Sequence, residues 1–193
     1  MATVSDENLM AAVCQGDLRK LAVLFERHHR ALYNFFLHMN GNPDVSQDLV
    51  QDVFFRILRY RHTYRDGRPF VAWMYQIARN ASIDAGRKRT GELQLVMSRD
   101  DEDERTMREP VSEMPGAEEA MRKRQEIALL RRALERLPED KREVLVLSRV
   151  QNLAYDQIAS ILGCETGAVK VRVYRATRAL GEIYFELAGE RAS

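Results

Sequence analysis

Residues 155–180, YDQIASILGCETGAVKVRVYRATRAL, read as two amphipathic helices joined by a tight turn, and that reading decides the fold. In the first segment Ile158, Ala159, Ile161 and Leu162 gather on one face, with small Ala159 where a second helix can approach closely. Gly163 follows, a residue that enters the left-handed conformation of a sharp helix stop without steric penalty. In the second segment Val169, Val173, Ala176 and Leu180 recur at i, i+4, i+7 and i+11, one narrow sector of a helix turning about 100° per residue. The opposite sector carries Lys170, Val171, Tyr174, Arg175 and Arg178, with Arg172 on its flank. A short helix, a tight turn and a second helix with a basic outer face meet the needs of a helix-turn-helix reader. The major groove admits one helix, and its phosphates need cations. An ordinary helical hairpin with a solvated outer face has the same periodicity. Charge balance separates the two: from Cys164 to Arg178 four basic residues stand against one acid, Glu165, whereas a solubility face mixes signs.

The rest of the chain fits an all-α protein. Among 193 residues there are only 10 glycines and 5 prolines, helical periodicity is sustained, and no strand is convincingly signalled. A hydrophobic fraction of 45% suffices for packed cores in one domain or two small ones. Cys14 and Cys164 lie far apart without metal-ligand spacing, so neither a disulfide framework nor a zinc site is suggested and a reducing cytoplasm fits. MATVSDENLM carries acids where a signal peptide needs cations, and no apolar run approaches the roughly 20 residues that span a bilayer. The overall charge of +1 hides a partition. Residues 1–98 carry 13 basic and 10 acidic groups, 99–120 carry 3 and 9, and 121–193 carry 14 and 10. Two mildly basic blocks therefore flank an acidic joint, as expected of two nucleic-acid-facing modules and a linker.

Along the chain, Ser5, Asn8, Leu9, Ala12 and Val13 predict a capped helix closing near Gly16. A second starts at Asp17, with Leu21, Leu24, Phe25, His28, Leu32 and Phe36 in its stripe, and breaks at Asn40–Pro43. Glu26 and His29 have the Glu-x-x-His spacing of di-iron bundles, but neither the second copy nor the two further carboxylates are present; His28 reads as a packed core histidine, and His29 and His38 as solvated. The third helix, DVSQDLVQDVFFRILR (44–59), has a core stripe of Val45, Leu49, Val53 and Ile57 widened by Val50, Phe54 and Leu58. Asp44, Asp48 and Asp52 repeat on another side, where like charges at i, i+4 repel by a few tenths of a kcal/mol. By itself that row reads as a solvated face.

A loop, RHTYRDGRP (61–69), precedes FVAWMYQIARNASIDAGRKR (70–89), whose core side is Phe70, Met74, Ile77, Ala78 and Ala81. Trp73, Gln76, Asn80 and Arg87 share one edge that can stack on, hydrogen-bond and neutralise an unpaired nucleotide, although a core tryptophan and a surface amide would leave the same trace. Arg87, Lys88 and Arg89 suit phosphates. Periodicity stops from Leu93 to Gly116, where RDDEDER and two prolines predict an acidic, mobile linker. Ile127, Leu130, Leu134 and Leu137 rebuild a stripe, Val144, Leu145 and Leu147 mark one more helix, and Leu153 leads into the hairpin.

In this order, segments 44–59, 70–89, 133–159 and 162–180 resemble bacterial sigma factors of the extracytoplasmic-function type. The resemblance implies two small helical domains joined by a flexible acidic linker. Residues 1–92 would be region 2, 93–117 the linker and 118–187 region 4. It implies promoter-specific initiation with core RNA polymerase, contacted through the clamp of its largest subunit and the flap of its second-largest, with no cofactor, metal or catalytic residue. Asp48, Gln51, Asp52 and Arg56 would dock on the clamp, turning the acidic row into a partner surface. Tyr64, Arg65, Trp73, Gln76, Asn80, Arg87 and Lys88 would take flipped bases of the downstream (minus ten) element and help melt it. Lys170, Val171, Arg172, Tyr174, Arg175 and Arg178 would read the upstream (minus thirty-five) element. The linker would thread a positively lined path in the polymerase, and an anti-sigma factor is left open.

Departures narrow this. Ala168 and Val171 stand where the family commonly has Thr and Ser, Thr177 where it is commonly basic, and Ala154 where a Ser or Thr cap is usual. Val171 is expected to meet an apolar group such as a thymine methyl. The alternative from the residues alone is a stand-alone helix-turn-helix regulator, which would bind DNA tightly without polymerase.

Overall fold

The computed structural model describes the backbone of residues 4–65, 67–95 and 117–190, without the side chains of 88–95 and 117–118. Eight α-helices account for the described chain: α1 (Asp6–Cys14), α2 (Arg19–Asn40), α3 (Pro43–Tyr60), α4 (Phe70–Leu95), α5 (Ala117–Arg136), α6 (Glu139–Leu145), α7 (Tyr155–Leu162) and α8 (Thr166–Glu190). A 3-10 turn covers Arg61–Thr63 and a single wide π turn covers Val146–Val150. No strand occurs among the described residues. Most of the linker expected over 93–117 lies outside them, between Leu95 and Ala117.

Local chemistry sets the helix ends. Ser5 caps α1 by accepting from the Asn8 N–H at 3.2 Å. α2 closes on Gly41 at φ 70°, and α3 opens at once with Asn42 accepting from the Val45 N–H at 3.0 Å and Pro43 in the first turn. Asn40 Oδ1 accepts from the Asn42 N–H at 2.8 Å and from Ser46 Oγ at 3.2 Å, so this break is a small polar knot. Ala154 has no oxygen with which to cap α7. Only the reciprocal half of a capping box forms, the Ala154 N–H donating to Gln157 Oε1 at 3.1 Å.

Helices α1 to α4 pack around Met10, Val13, Leu24, Leu32, Phe35, Phe36, Val53, Ile57, Phe70 and Met74, all essentially inaccessible. Each such large apolar side chain contributes about 1.5–3 kcal/mol through burial. Helices α5 to α8 pack around Val144, Val146, Leu147, Ile158, Val169, Val173 and Ala176. The two sets share one continuous core, because α4 lies against α7, and α2 against α5, α6 and the wide turn.

Two expectations change here. α5 buries Leu129 and Ala133, leaving Ile127 at 46% and Leu130 at 42% exposure, because the C-terminal half of α8, through Leu187, seats against the Leu129 side. His28, expected to be simply packed, has Nε2 2.7 Å from Asp6 Oδ2 and tilts against the Phe70 ring. His29 behaves differently again, its Nδ1 donating to the Phe25 carbonyl at 2.9 Å while its ring stacks on Phe25.

Candidate nucleic-acid and partner interfaces

The hairpin forms as its periodicity predicts. α7 buries Ile158, Ala159 and Ile161, and ends at Gly163 with φ 64°. α8 then buries Val169, Val173 and Ala176. This packing turns Lys170, Val171, Arg172, Tyr174, Arg175 and Arg178 outward, and all six are exposed. Val171 (47%) and Tyr174 (62%) are large apolar groups held in water among cations, an arrangement suited to bases flanked by phosphates. Arg178 Nη2 lies 3.6 Å from Glu182 Oε1 in a surface pair that contributes little and is readily given up. Arg172, on the flank, is near enough to the buried Glu143 carboxylate of α6 to favour its charge.

On α3 the core stripe faces inward and Asp48, Gln51 and Phe55 face out. Asp48, Asp52, Phe55 and Arg59 fall within about 60° of one another at about 100° per residue. Phe55 is 61% exposed in the middle of this row, and sequence reading passed over it. The signal was there: an aromatic residue outside the core stripe, among acids and amides. Arg56, expected at the docking surface, is paired within the chain. Its Nε lies 2.9 Å from Asp52 Oδ2, and its Nη1 donates to Asp84 Oδ2 of α4 at 2.7 Å. Partial burial opposes its charge, but the hydrogen bonds to Asp84 and Asp52 outweigh that and raise its pKa. Arg56 thus pins α3 to α4 and neutralises Asp52.

The third candidate edge is closed. Trp73 is only 5% exposed and sits edge-on to Tyr64 at 5.1 Å, with Phe70 beyond. Tyr64 is buried as well, its hydroxyl donating to the Arg68 carbonyl at 2.6 Å across the loop turn at Gly67. Gln76 accepts from Arg68 Nη2 and donates through Nε2 to the Ser160 carbonyl of α7 at 2.5 Å. Arg65, Asn80 and Arg87 are exposed, while the Lys88 side chain lies outside the described residues. The aromatic part of the expected edge therefore belongs to the core in this arrangement, and its polar and cationic part remains on the surface.

Beside it runs the seam between the two helix sets. Tyr75 Oη donates to Gln151 Oε1 at 2.8 Å, and Arg142 Nη1 donates to the Met39 carbonyl at 2.6 Å. Arg79 Nε donates to both Glu143 oxygens, at 3.0 and 3.2 Å. Burial pushes the Glu143 carboxyl above the usual range against the pull of Arg79, and burial pushes the Tyr75 phenol up too. A cleft of about 330 Å³ opens here between Phe35, Met39, Arg79 and Glu143. No group of three His, Cys, Asp or Glu side chains gathers into a metal-holding cluster among the described residues.

Comparison with known proteins identifies the family. Residues 24–92 match Sigma-70 region 2, and residues 127–180 match Sigma-70 region 4. The chain is 32% identical to the RNA polymerase sigma factor CarQ of Myxococcus xanthus, over 85% of this chain and 88% of that one. It is 31% identical to the ECF RNA polymerase sigma factor EcfG of Rhodopseudomonas palustris, over 80% of each. A solved structure of the sigma factor RpoE with the anti-sigma factor NepR, from Bartonella quintana, superposes with a TM-score of 0.62 at 26% identity, over 84% of this chain and 94% of that one. The chain belongs to the sigma-70 family and is a sigma factor of the extracytoplasmic-function type.

Proposed function

We propose that this sigma factor divides promoter recognition between its two helix sets, with residues 1–92 and 118–187 as regions 2 and 4 and the acidic segment as their connector. The α3 row of Asp48, Gln51, Asp52 and Phe55 docks on the polymerase clamp, while region 4 also meets the flap. The basic face of α8 reads the upstream element, and Asn80, Gln76, Arg65 and Arg87 hold unstacked bases of the downstream element. The observation that carries this is the outward set of Lys170, Val171, Arg172, Tyr174, Arg175 and Arg178 on a helix whose opposite side is core. Such a face binds duplex phosphates and presents two apolar groups to base edges.

The work is binding, with no covalent step, and extruding a base costs a few kcal/mol that stacking and hydrogen bonds return. The protein acts in the cytoplasm, where promoter DNA is; no helix among the described residues is long and apolar enough to cross a membrane. An anti-sigma protein is a third partner by analogy with the relative that was solved with one. Transcription reconstituted from core polymerase, this chain and a genomic fragment library tests the reading. Transcripts sharing an upstream sequence are expected, and none above core alone would overturn it. In the same assay Asn80→Ala is expected to impair promoter opening more than duplex binding, and equal losses would remove Asn80 from base capture.

A further inference from the structure

Helix α1 touches both ends of the turn that leads into α4. At one end the Cys14 thiol donates to the Arg61 carbonyl at 3.1 Å, and at the other Glu7 Oε1 accepts from the Phe70 N–H at 3.2 Å. Residues 7 and 14 lie one heptad apart, within about 20° of each other around the helix and about 10 Å along it. A single stiff helix therefore fixes the distance between the ends of the 61–69 turn. That turn carries exposed Arg65 and leads into the edge of α4 assigned to unstacked bases. We propose that Glu7 and Cys14 are positioning residues for base capture: through them α1 sets where Arg65 and the first turn of α4 stand toward an unstacked base. The proposal rests on the assignment of that edge to base capture.

Glu7 supplies a cap that the local sequence of α4 lacks. The residue whose carbonyl accepts the first bond of α4, from the Trp73 N–H at 3.2 Å, is Pro69, which has no side-chain oxygen to cap the helix. The Glu7 carboxylate takes an orphan N–H instead and brings negative charge to the positive end of the helix. Its own place is fixed from α2. The adjacent Asp6 accepts from Arg27 Nη1 at 2.6 Å and lies 2.7 Å from His28 Nε2, and the His28 ring tilts against Phe70 at 5.4 Å. Between the anchored ends the turn keeps its shape through the Tyr64 hydroxyl, which donates to the Arg68 carbonyl at 2.6 Å, and through left-handed Gly67 at φ 81°. Buried Met10 and Val13 already secure α1 to the core, so its two polar bonds to the turn add placement rather than bulk packing.

The test uses the full chain with core polymerase. Its probes are two randomised DNA pools, a single-stranded one for the downstream element and a duplex one for the upstream element. Glu7→Ala is expected to lower the enrichment of the preferred base in the single-stranded pool by about tenfold, the loss of one well-placed hydrogen bond. Preferences in the duplex pool should stay as in wild type. Glu7→Gln, which keeps an oxygen for the Phe70 N–H, should restore the single-strand preference. Wild-type preferences in Glu7→Ala overturn the proposal, and so does an equal loss in both pools, which general destabilisation would give. Should Glu7→Ala lose its helical circular dichroism, Cys14→Ala is read instead: a smaller loss confined to the single-stranded pool supports the proposal and no loss overturns it. A wild-type chain that enriches no base in the single-stranded pool removes the base-capture reading, and the proposal with it. One that enriches bases while Glu7→Ala matches it keeps that reading and loses only the role of α1.

Discussion

Arg79 of α4 holds Glu143 of α6 through one nitrogen, Nε, shared between both carboxylate oxygens at 3.0 and 3.2 Å. Burial dominates the carboxyl and raises its pKa; Arg79 and Arg172 oppose this, and the charge of Glu139 adds to it. A carboxyl whose pKa is raised by folding contributes stability below the ordinary glutamate range and loses that contribution as pH rises through the raised value. Glu143→Gln is neutral throughout, so its thermal midpoint should gain on wild type as pH is raised from the ordinary glutamate range toward neutrality. A gap that does not vary with pH would contradict this. Arg79→Ala at neutral pH should destabilise by about 1 kcal/mol, at the low end for a partner of a buried carboxylate because Arg79 is 38% exposed.

Phe55 is 61% exposed in the row with Asp48 and Asp52, so truncating it removes almost no folded-state packing. Phe55→Ala should weaken binding to core polymerase by about tenfold, as expected for an aromatic anchor at the centre of an interface, while leaving the unfolding midpoint in place. Competition binding against a second sigma factor, with thermal unfolding in parallel, reads both. Unaltered affinity would move the docking surface elsewhere.

Val171 stands between Lys170 and Arg172 and is 47% exposed. Val171→Ser should lower the preference for thymine at one upstream position by about 1 kcal/mol, visible in a promoter series varied base by base. Arg175→Ala should act differently, weakening all sequences alike and reducing the slope of log affinity against log salt by about 1. If both substitutions gave the same pattern, the division between reading and anchoring would fall.

Gly163 ends α7 at φ 64°, and a methyl group there would meet nothing within 4 Å. The effect of Gly163→Ala is therefore purely that of backbone strain, about 1 kcal/mol of stability. Gly167, inside α8 and equally uncrowded, provides the contrast: Gly167→Ala should stabilise by a few tenths to 1 kcal/mol. Equal effects at the two glycines in chemical or thermal unfolding would refute the conformational explanation.

What the sequence made legible was whatever neighbours along the chain decide. Ser5, Asn42 and Gly163 cap or stop helices through groups three or four residues away, and the hairpin follows from spacing alone. What it hid depends on partners distant in sequence. Ile127 and Leu130 fit an apolar stripe as well as Leu129 and Ala133 do, and only the position of Leu187 decides which set is buried. Trp73 on a helical edge reads the same whether Tyr64 covers it or solvent does. Arg56 reads as one more surface charge until Asp84 is brought beside it. No spacing rule foresees that Ser160 would occupy Gln76.

One uninterrupted helix, α8, carries the face proposed to read the upstream element near its start and the seat of α5 near its end. Its 25 residues span about 37 Å at 1.5 Å per residue. Leu187 is gripped by Leu129 and Ala133, so α5 holds the far end of a stiff rod whose near end carries Lys170 and Val171. A pull delivered to Ala117 would reach that rod off-axis, through the Leu129–Leu187 contact, and would be expected to act on it as torque. The length and charge of the segment before α5 should therefore tune how the upstream element is gripped.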